Sequence, residues 1–280
     1  MTTEEIIRQS ILEDVGEGDH SSLSCIDESH QGTMQLLVKQ DGILAGVEVA
    51  KQILKIINPQ IQMEQFMKDG DKIKKGDIVF IIRGSVQSML TAERTVLNFM
   101  QRMSGIATSA HHYAALLEGT KTKVLDTRKT TPNMRYFEKY AVKVGGAENH
   151  RFGLYDMIML KDNHIDFAGG IEKAIDSARN YIKKNNLNIK IEIETRSIED
   201  VKRVLAHGGV DRIMLDNFSV EQTKEAVQLI NGQYETESSG GITEDTIRLY
   251  ANTGVDFISV GALTHHIQSL DLSLKFCKNL

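Results

Sequence analysis

From about residue 120 onward the chain alternates short apolar runs with amphipathic stretches. This rhythm limits the fold more than any other feature. The runs "KVLD", "MIMLKD", "KIEIE", "RIMLD", "YETES" and "FISV" read as strands. Between them lie "NMRYFEKYAVKVGG", "GGIEKAIDSARNYIKKN", "IEDVKRVLAHGG", "SVEQTKEAVQLING" and "TEDTIRLYANTG", which read as helices. Glycine closes several of them, and Ser219 and Thr243 stand where N-caps belong. Strict alternation of strand and helix builds a parallel sheet covered by helices. Six strands are clear, two short of a closed eight-stranded barrel, so an incomplete barrel and an open doubly wound sheet both satisfy the pattern.

Before residue 105 the elements are mixed. Residues 3–13 read as a helix. "GTMQLLVKQDGILAG" reads as two strands broken at Asp41-Gly42, a turn dipeptide. "VEVAKQILKIIN" is a helix, and "FMKDGDKIKKGDIVFIIRGS" is strand, turn, strand. Residues 88–119 form one helical region, with Ser104-Gly105 as a potential break. A chain of 280 residues can bury a full core, as one large α/β domain or as two domains.

The formal charge of −5 argues against a general nucleic-acid binder, which would need a basic face. Cys25 and Cys277 are too few for a disulfide framework or a zinc site, which points to a reducing compartment. The acidic start "MTTEEIIRQSILEDVGEGD" lacks the layout of a signal peptide. No apolar run approaches the ~18 residues of a membrane span. The expected address is the cytoplasm, with no nucleic acid and no membrane as partner.

The residues just past each strand carry the chemistry. "VLD" runs into Thr127, Arg128 and Lys129. "MIML" ends in Lys161 and Asp162, "IEI" in Glu194, and "RIML" in Asp216. "YETES" ends in Ser239-Gly240-Gly241 and "FISV" in Gly261. A charge after one strand is ordinary loop polarity. Six such endings are different, because parallel strands put their C-termini on one edge, where active sites form. His150 and Arg151 in "GGAENHRFG" and Arg94 in "TAERTVLNF" add further cations. So many cations in an acidic protein imply an anionic ligand with several carboxylates or phosphates. Ser239-Gly240-Gly241 ahead of Thr243 offers backbone N–H groups at a helix N-terminus, a phosphate site that is equally well a plain turn. Glu194 and Asp216 supply acceptors for sugar hydroxyls or Mg²⁺. Together these features suggest a phosphorylated sugar.

Other readings compete. A barrel lysine such as Lys161 can form Schiff bases, as in aldolases. "FMKDGDKIKKGDIVFIIRG" has turns like those of lipoyl or biotinyl carrier domains, but no Lys-Met pair sits at a hairpin tip. His111-His112 and His265-His266 are neighbours that do not share a helix face, so they read as surface or core residues rather than metal ligands. The Asp19-His20 pair has no assigned task.

The segments "ERTVLNFMQRMSGIAT", "DTRKTTPNMRYFEKYAVKVGGAENHR", "MLKDNHI", "IEIE", "MLDNF" and "ESSGGIT" resemble the quinolinate phosphoribosyltransferases, also called nicotinate-nucleotide pyrophosphorylases (carboxylating). "VGEGD", "DGILAG" and "ISVGALTH" extend the likeness over nearly the whole chain. The resemblance implies an N-terminal α/β sandwich domain over 1–105, joined by a C-terminal tail of about 265–280. It also implies an incomplete, about seven-stranded α/β barrel over 106–264. The implied reaction is Mg²⁺-dependent: quinolinate and phosphoribosyl pyrophosphate give nicotinate mononucleotide, pyrophosphate and CO₂. The implied assembly is a homodimer with a shared active site. By position, Arg128, His150 and Arg151 match binders of the quinolinate carboxylates, and Arg94 matches an arginine donated across the dimer. Lys129 and Lys161 match lysines facing the reacting centre and the phosphates. Glu194 and Asp216 match acids near the ribose and metal, and Ser239, Gly240 and Gly261 match 5′-phosphate contacts. Between Glu192 and Glu194, strand alternation puts both on one face with Glu194 nearer the active edge.

Overall fold

The computed structural model describes residues 1–277. Residues 278–280, the end of the expected C-terminal tail, lie outside the described residues. The chain divides into two units. One comprises Met1–His111, Thr131–Gly146 and the stretch from Leu263; the other comprises His112–Thr130 and Ala147–Ala262.

The first unit opens with α1 (Thr3–Val15), where Thr2 and Glu5 cap each other's backbone. Asp19 caps α2 (His20–Cys25) by accepting the Ser22 amide, which gives Asp19 a local structural task. Strands β1 (Gln31–Val38) and β2 (Gly42–Ile43) come next, then α3 (Val47–Ile57), β3 (Gln62–Gln65), β4 (Lys72–Ile73) and β5 (Ile78–Ser85). β1 and β2 do not form the hairpin that Asp41-Gly42 suggests. β1 lies between β5 and the C-terminal β12 (Leu272–Phe276), while β2 pairs with β4. The reason is close approach. A Cβ on Gly42 would sit 2.6 Å from Thr108 Oγ1, and the neighbouring Ile43 N–H donates to that oxygen. α4 (Val86–Leu116) is continuous through Gly105. Glycine there serves packing, since a Cβ would lie 2.2 Å from the Gln268 carbonyl.

β6 (Lys123–Leu125) begins the second unit, and α5 (Arg135–Val144) returns to the first. The single domain read over 106–264 therefore lends residues 131–146 to the other unit. Phe137 sets its ring edge-on to Phe99 at 5.0 Å. Glu138, fully buried, accepts from Arg102 at 2.6 and 2.9 Å and from the Thr131 amide at 3.2 Å.

The rest of the second unit runs β7 (Met157–Leu160), α6 (Asp162–Ala168), α7 (Ile171–Asn185), β8 (Lys190–Thr195), α8 (Ile198–His207), β9 (Arg212–Asp216), α9 (Val220–Ile230), β10 (Glu235–Ser239), α10 (Glu244–Ala251) and β11 (Phe257–Ser259). α11 (Ala262–His265) leads back to the first unit. The parallel sheet has the order β6-β11-β10-β9-β8-β7. β6 and β7 are its two edges, so the barrel is incomplete. A single parallel bridge, Leu125 with Glu148, adds a one-residue seventh member beside β6. The sequence pattern expected six clear strands and the family likeness about seven; the bridge accounts for the difference.

Register decides which side chains share a face, because partners in adjacent strands point the same way. Ile191, Ile193, Ile213, Leu215 and Leu160 belong to the apolar core that packs under α7, α8 and α9. Each fully buried aliphatic side chain there contributes roughly 1.5–3 kcal/mol. The other face carries Glu192 opposite Arg212, Glu194 opposite Met214, and Glu235 opposite Arg212. One face is thus apolar and the other unusually charged.

At the N-terminal edge of the sheet, a cavity of about 510 Å³ is lined by Lys121, Lys190, Asp211, Glu235 and Asp256, among others. Its charges are largely matched: Lys121 meets Asp256 at 2.7 Å and Lys190 meets Glu235 at 3.1 Å. Asp256 also accepts from the Thr236 amide and hydroxyl. Burial pushes its carboxyl up, but Lys121 and Thr236 outweigh burial and hold it below the ordinary 3.8.

Arg102→Ala strands the buried Glu138 charge and should cost ~3 kcal/mol in denaturant unfolding. Asp256→Asn should cost about 1–2 kcal/mol at pH 7 through lost hydrogen bonds. A depressed carboxylate stabilises above its unfolded pKa and loses that as pH falls, so the Asn variant's stability curve should be flatter than wild type below about pH 4.

Candidate active site

The site is built where the parallel strands end. Arg128 and Lys129 are exposed in the loop after β6, and Lys161 directly succeeds β7. Glu194 is the next-to-last residue of β8 and Asp216 the last of β9. Ser239 ends β10, Gly240 comes after it, and Gly261 lies two residues beyond β11. Arg94 belongs to the first unit and is exposed on α4.

Backbone pairing draws two cationic segments together. The Glu148 amide donates to Val124 O at 2.8 Å, and the Asp126 amide donates to Glu148 O at 3.1 Å. The fully buried Asp126 carboxylate then accepts the His150 amide at 2.8 Å. "VLD" and "ENHR" are thereby locked side by side, which brings Arg128 near Arg151. Burial lowers the Arg151 pKa, and the Arg128 charge lowers it further, against Glu192 and Asp156. The Arg151 guanidinium also donates to Met157 O at 3.2 Å. Neither arginine makes an ion pair with a carboxylate among the described residues. Two like charges held together without a directly paired carboxylate are a receptor for an anion.

Lys161 Nζ lies 3.3 Å from Glu194, whose side chain is largely buried while the lysine is half exposed. Asp216 accepts from Asn217 Nδ2 at 2.6 Å. Glu194 pairs with Met214, so Asp216, two residues on, shares its face. The Asn217 amide donates to Ser239 O, and Gly240 adopts φ +95° against Asn217. A Cβ on Gly240 would lie 2.2 Å from Asn217 Oδ1. The acid at 216 and the Ser239-Gly240 turn are therefore adjacent.

Beneath this rim sits a charged network. His150 Nε2 is 2.9 Å from Glu192 and 3.3 Å from Glu237, off the line of an ideal hydrogen bond. Arg212 donates to Glu237 at 3.0 Å and to Glu235 at 3.1 Å, and its guanidinium lies 4.1 Å from the centre of the Phe257 ring. Glu192 and Glu237 are fully buried. They stand on β8 and β10 with β9 between, so one imidazole can touch both only because the sheet curls around it. Burial, then Glu237, pushes Glu192 up to about 7. Burial alone would lower His150, whereas the two carboxylates raise it. The Arg151 amide, donating to Nδ1 at 2.6 Å, opposes that rise and leaves Nδ1 without a proton, because the bond uses the lone pair of that nitrogen. Strand-end position does not single out Arg212, Glu192 or Glu237 as parts of the site. A signal was there all the same: "KIEIE", "RIMLD" and "YETES" alternate charge with apolar residues, as a sheet with a polar face must.

Matches to known proteins cover the same ground. Residues 19–104 match the model for the quinolinate phosphoribosyl transferase N-terminal domain, and 106–275 match its C-terminal domain.

The chain belongs to the quinolinate phosphoribosyl transferase family.

It is 43% identical to quinolinate phosphoribosyltransferase [decarboxylating] 2b, mitochondrial, of Nicotiana tabacum, over 97% of this chain and 81% of that protein. It is 40% identical to the probable nicotinate-nucleotide pyrophosphorylase [carboxylating] of Bacillus subtilis, over 96% and 91%. The crystal structure of NadC from Streptococcus pyogenes superposes with a TM-score of 0.93 at 42% identity, covering 98% of this chain and 97% of that one. No helix among the described residues is long and apolar enough to cross a membrane.

Gly240→Ala should destabilise the protein by about 2 kcal/mol, from the left-handed backbone and the Asn217 clash together. Gly241→Ala, with open space around its Cβ, isolates the backbone part. Thermal unfolding of the pair separates the two.

Proposed function

We propose that this chain transfers phosphoribosyl from phosphoribosyl pyrophosphate to quinolinate with loss of CO₂, in NAD biosynthesis. One observation carries the substrate reading: Arg128 and Arg151 are held together by Asp126 and the Glu148 bridge, and neither is ion-paired with a carboxylate among the described residues. Two adjacent ring carboxylates supply the charge that such a pair lacks, and guanidinium forks suit bidentate contact. Names of relatives in plants and Bacillus support the same reading.

In this reaction Arg128 and Arg151 bind the quinolinate carboxylates. Lys129 and Lys161 face the pyrophosphate and the reacting centre. Ser239, Gly240 and Gly261 contact the 5′-phosphate. The pyridine nitrogen attacks the anomeric carbon as the bond to pyrophosphate oxygen breaks. Lys161, held by Glu194, meets the charge that develops on the leaving group. Ribosylation makes the ring nitrogen cationic, so it stabilises the electron pair left on the adjacent ring carbon when its carboxylate departs as CO₂, and that carbon then takes a proton from water. No side-chain nucleophile is required.

Glu194 and Asp216 suit Mg²⁺, which takes one or two carboxylates and completes its shell with water and substrate phosphates. Both are oxygen donors at the ends of neighbouring strands, on one face. They are the residues that would hold the ion, which when bound would neutralise pyrophosphate charge. We place Arg94, exposed on α4, in the shared site of a homodimer, and the protein in the cytoplasm.

The test is an assay with quinolinate and phosphoribosyl pyrophosphate, with and without Mg²⁺, following nicotinate mononucleotide and labelled CO₂. Product should form and should need the ion. Arg128→Ala should lower kcat/KM for quinolinate by roughly 10²-fold. An unchanged value would remove the carboxylate assignment.

A further inference from the structure

His150 matches a carboxylate binder by position, yet its ring is committed elsewhere. Its side chain is about 5% exposed. Nε2 faces Glu192 and Glu237, and Nδ1 accepts the Arg151 amide. Its own amide goes to Asp126. Each of these contacts ends on the protein, and one ends on the backbone of the very arginine that meets the substrate. A ring that accepts at Nδ1 keeps its proton on Nε2, and a carboxylate facing Nε2 fixes that tautomer.

His150, Glu192 and Glu237 also bring three metal-type donor atoms within 4.8 Å of one another. A cation is already present there: Arg212 donates to Glu237 at 3.0 Å. A second one would be repelled by it.

We propose that Glu237, with Glu192, is a positioning residue for substrate binding. The two buried carboxylates hold the His150 proton on Nε2, Nδ1 holds the Arg151 amide, and the Arg151 guanidinium is thereby set for the substrate carboxylate. His150 is then a strut between the carboxylates and Arg151 and does not itself touch substrate. This rests on the proposed function.

The experiment uses the full chain. Glu237→Gln keeps the side chain's shape and removes its charge. Calorimetry should show quinolinate binding about tenfold weaker or more, the usual cost of losing a residue that orients a ligand-binding group. The KM for phosphoribosyl pyrophosphate should barely move. Combined with Arg151→Lys, Glu237→Gln should add little further loss, because both act on one contact. Unchanged quinolinate affinity, equal weakening of both substrates, or fully multiplied losses would each overturn the proposal. A measurement on wild type stands even if the variant fails to fold. In ¹⁵N-histidine-labelled protein, the His150 ring should keep a protonated Nε2 and an unprotonated Nδ1 when quinolinate saturates the site. A change of ring state on saturation means direct contact and refutes the strut. Wild-type protein that binds no quinolinate removes the substrate reading and this proposal together; binding that is indifferent to Glu237 removes only this proposal.

Discussion

Two carboxylates buried side by side are the constraint around which the second unit is arranged. Glu192 and Glu237 have no access to water, and their isolated charges would be prohibitively costly in that setting. Arg212 and His150 make the arrangement tolerable, one from a strand and one from a loop. The loop must therefore enter the hollow of the sheet. Once it does, Arg151 and the end of β6 have little choice of place. Charge deep in the sheet thus determines where charge stands at its rim.

The same logic explains why the sheet stays open. A closed barrel fills its interior with layers of branched apolar side chains. Here one face is so charged that a histidine segment occupies space where a further strand could supply packing. Pairing shrinks to Leu125 with Glu148, and His150 turns inward. The apolar face is conventional by comparison, and it is where the burial energy lies.

Much of this was legible in the sequence. The alternation of strand and helix pointed to the parallel sheet, and the residues past each strand pointed to the rim. Lys161 with Glu194, and Asp216 beside Ser239-Gly240, lie where their strand-end positions put them. Other features depend on tertiary contact and left weaker traces. Gly42 looked like a hairpin turn and Gly105 like a helix break, yet both are points where another segment leaves no room for a Cβ. The helix at 135–144 fitted the barrel's rhythm, but Phe137 and Glu138 bind it to Phe99 and Arg102 of α4. The alternating acids of "KIEIE" and "YETES" were visible as letters. Their shared partner, His150, was not, because nothing in spacing says that a loop will reach two strands at once.

The lone bridge at Glu148 has a mechanical side. A sheet margin zipped by one residue leans on the buried Asp126 carboxylate to hold it, whereas each of the five joints between full strands is held by its own backbone ladder. One side chain thus fastens this hem, while the helix-backed wall needs none. The two arginines flank the hem, so the seam that hangs on a single carboxylate runs beside the place where an anion must enter and leave.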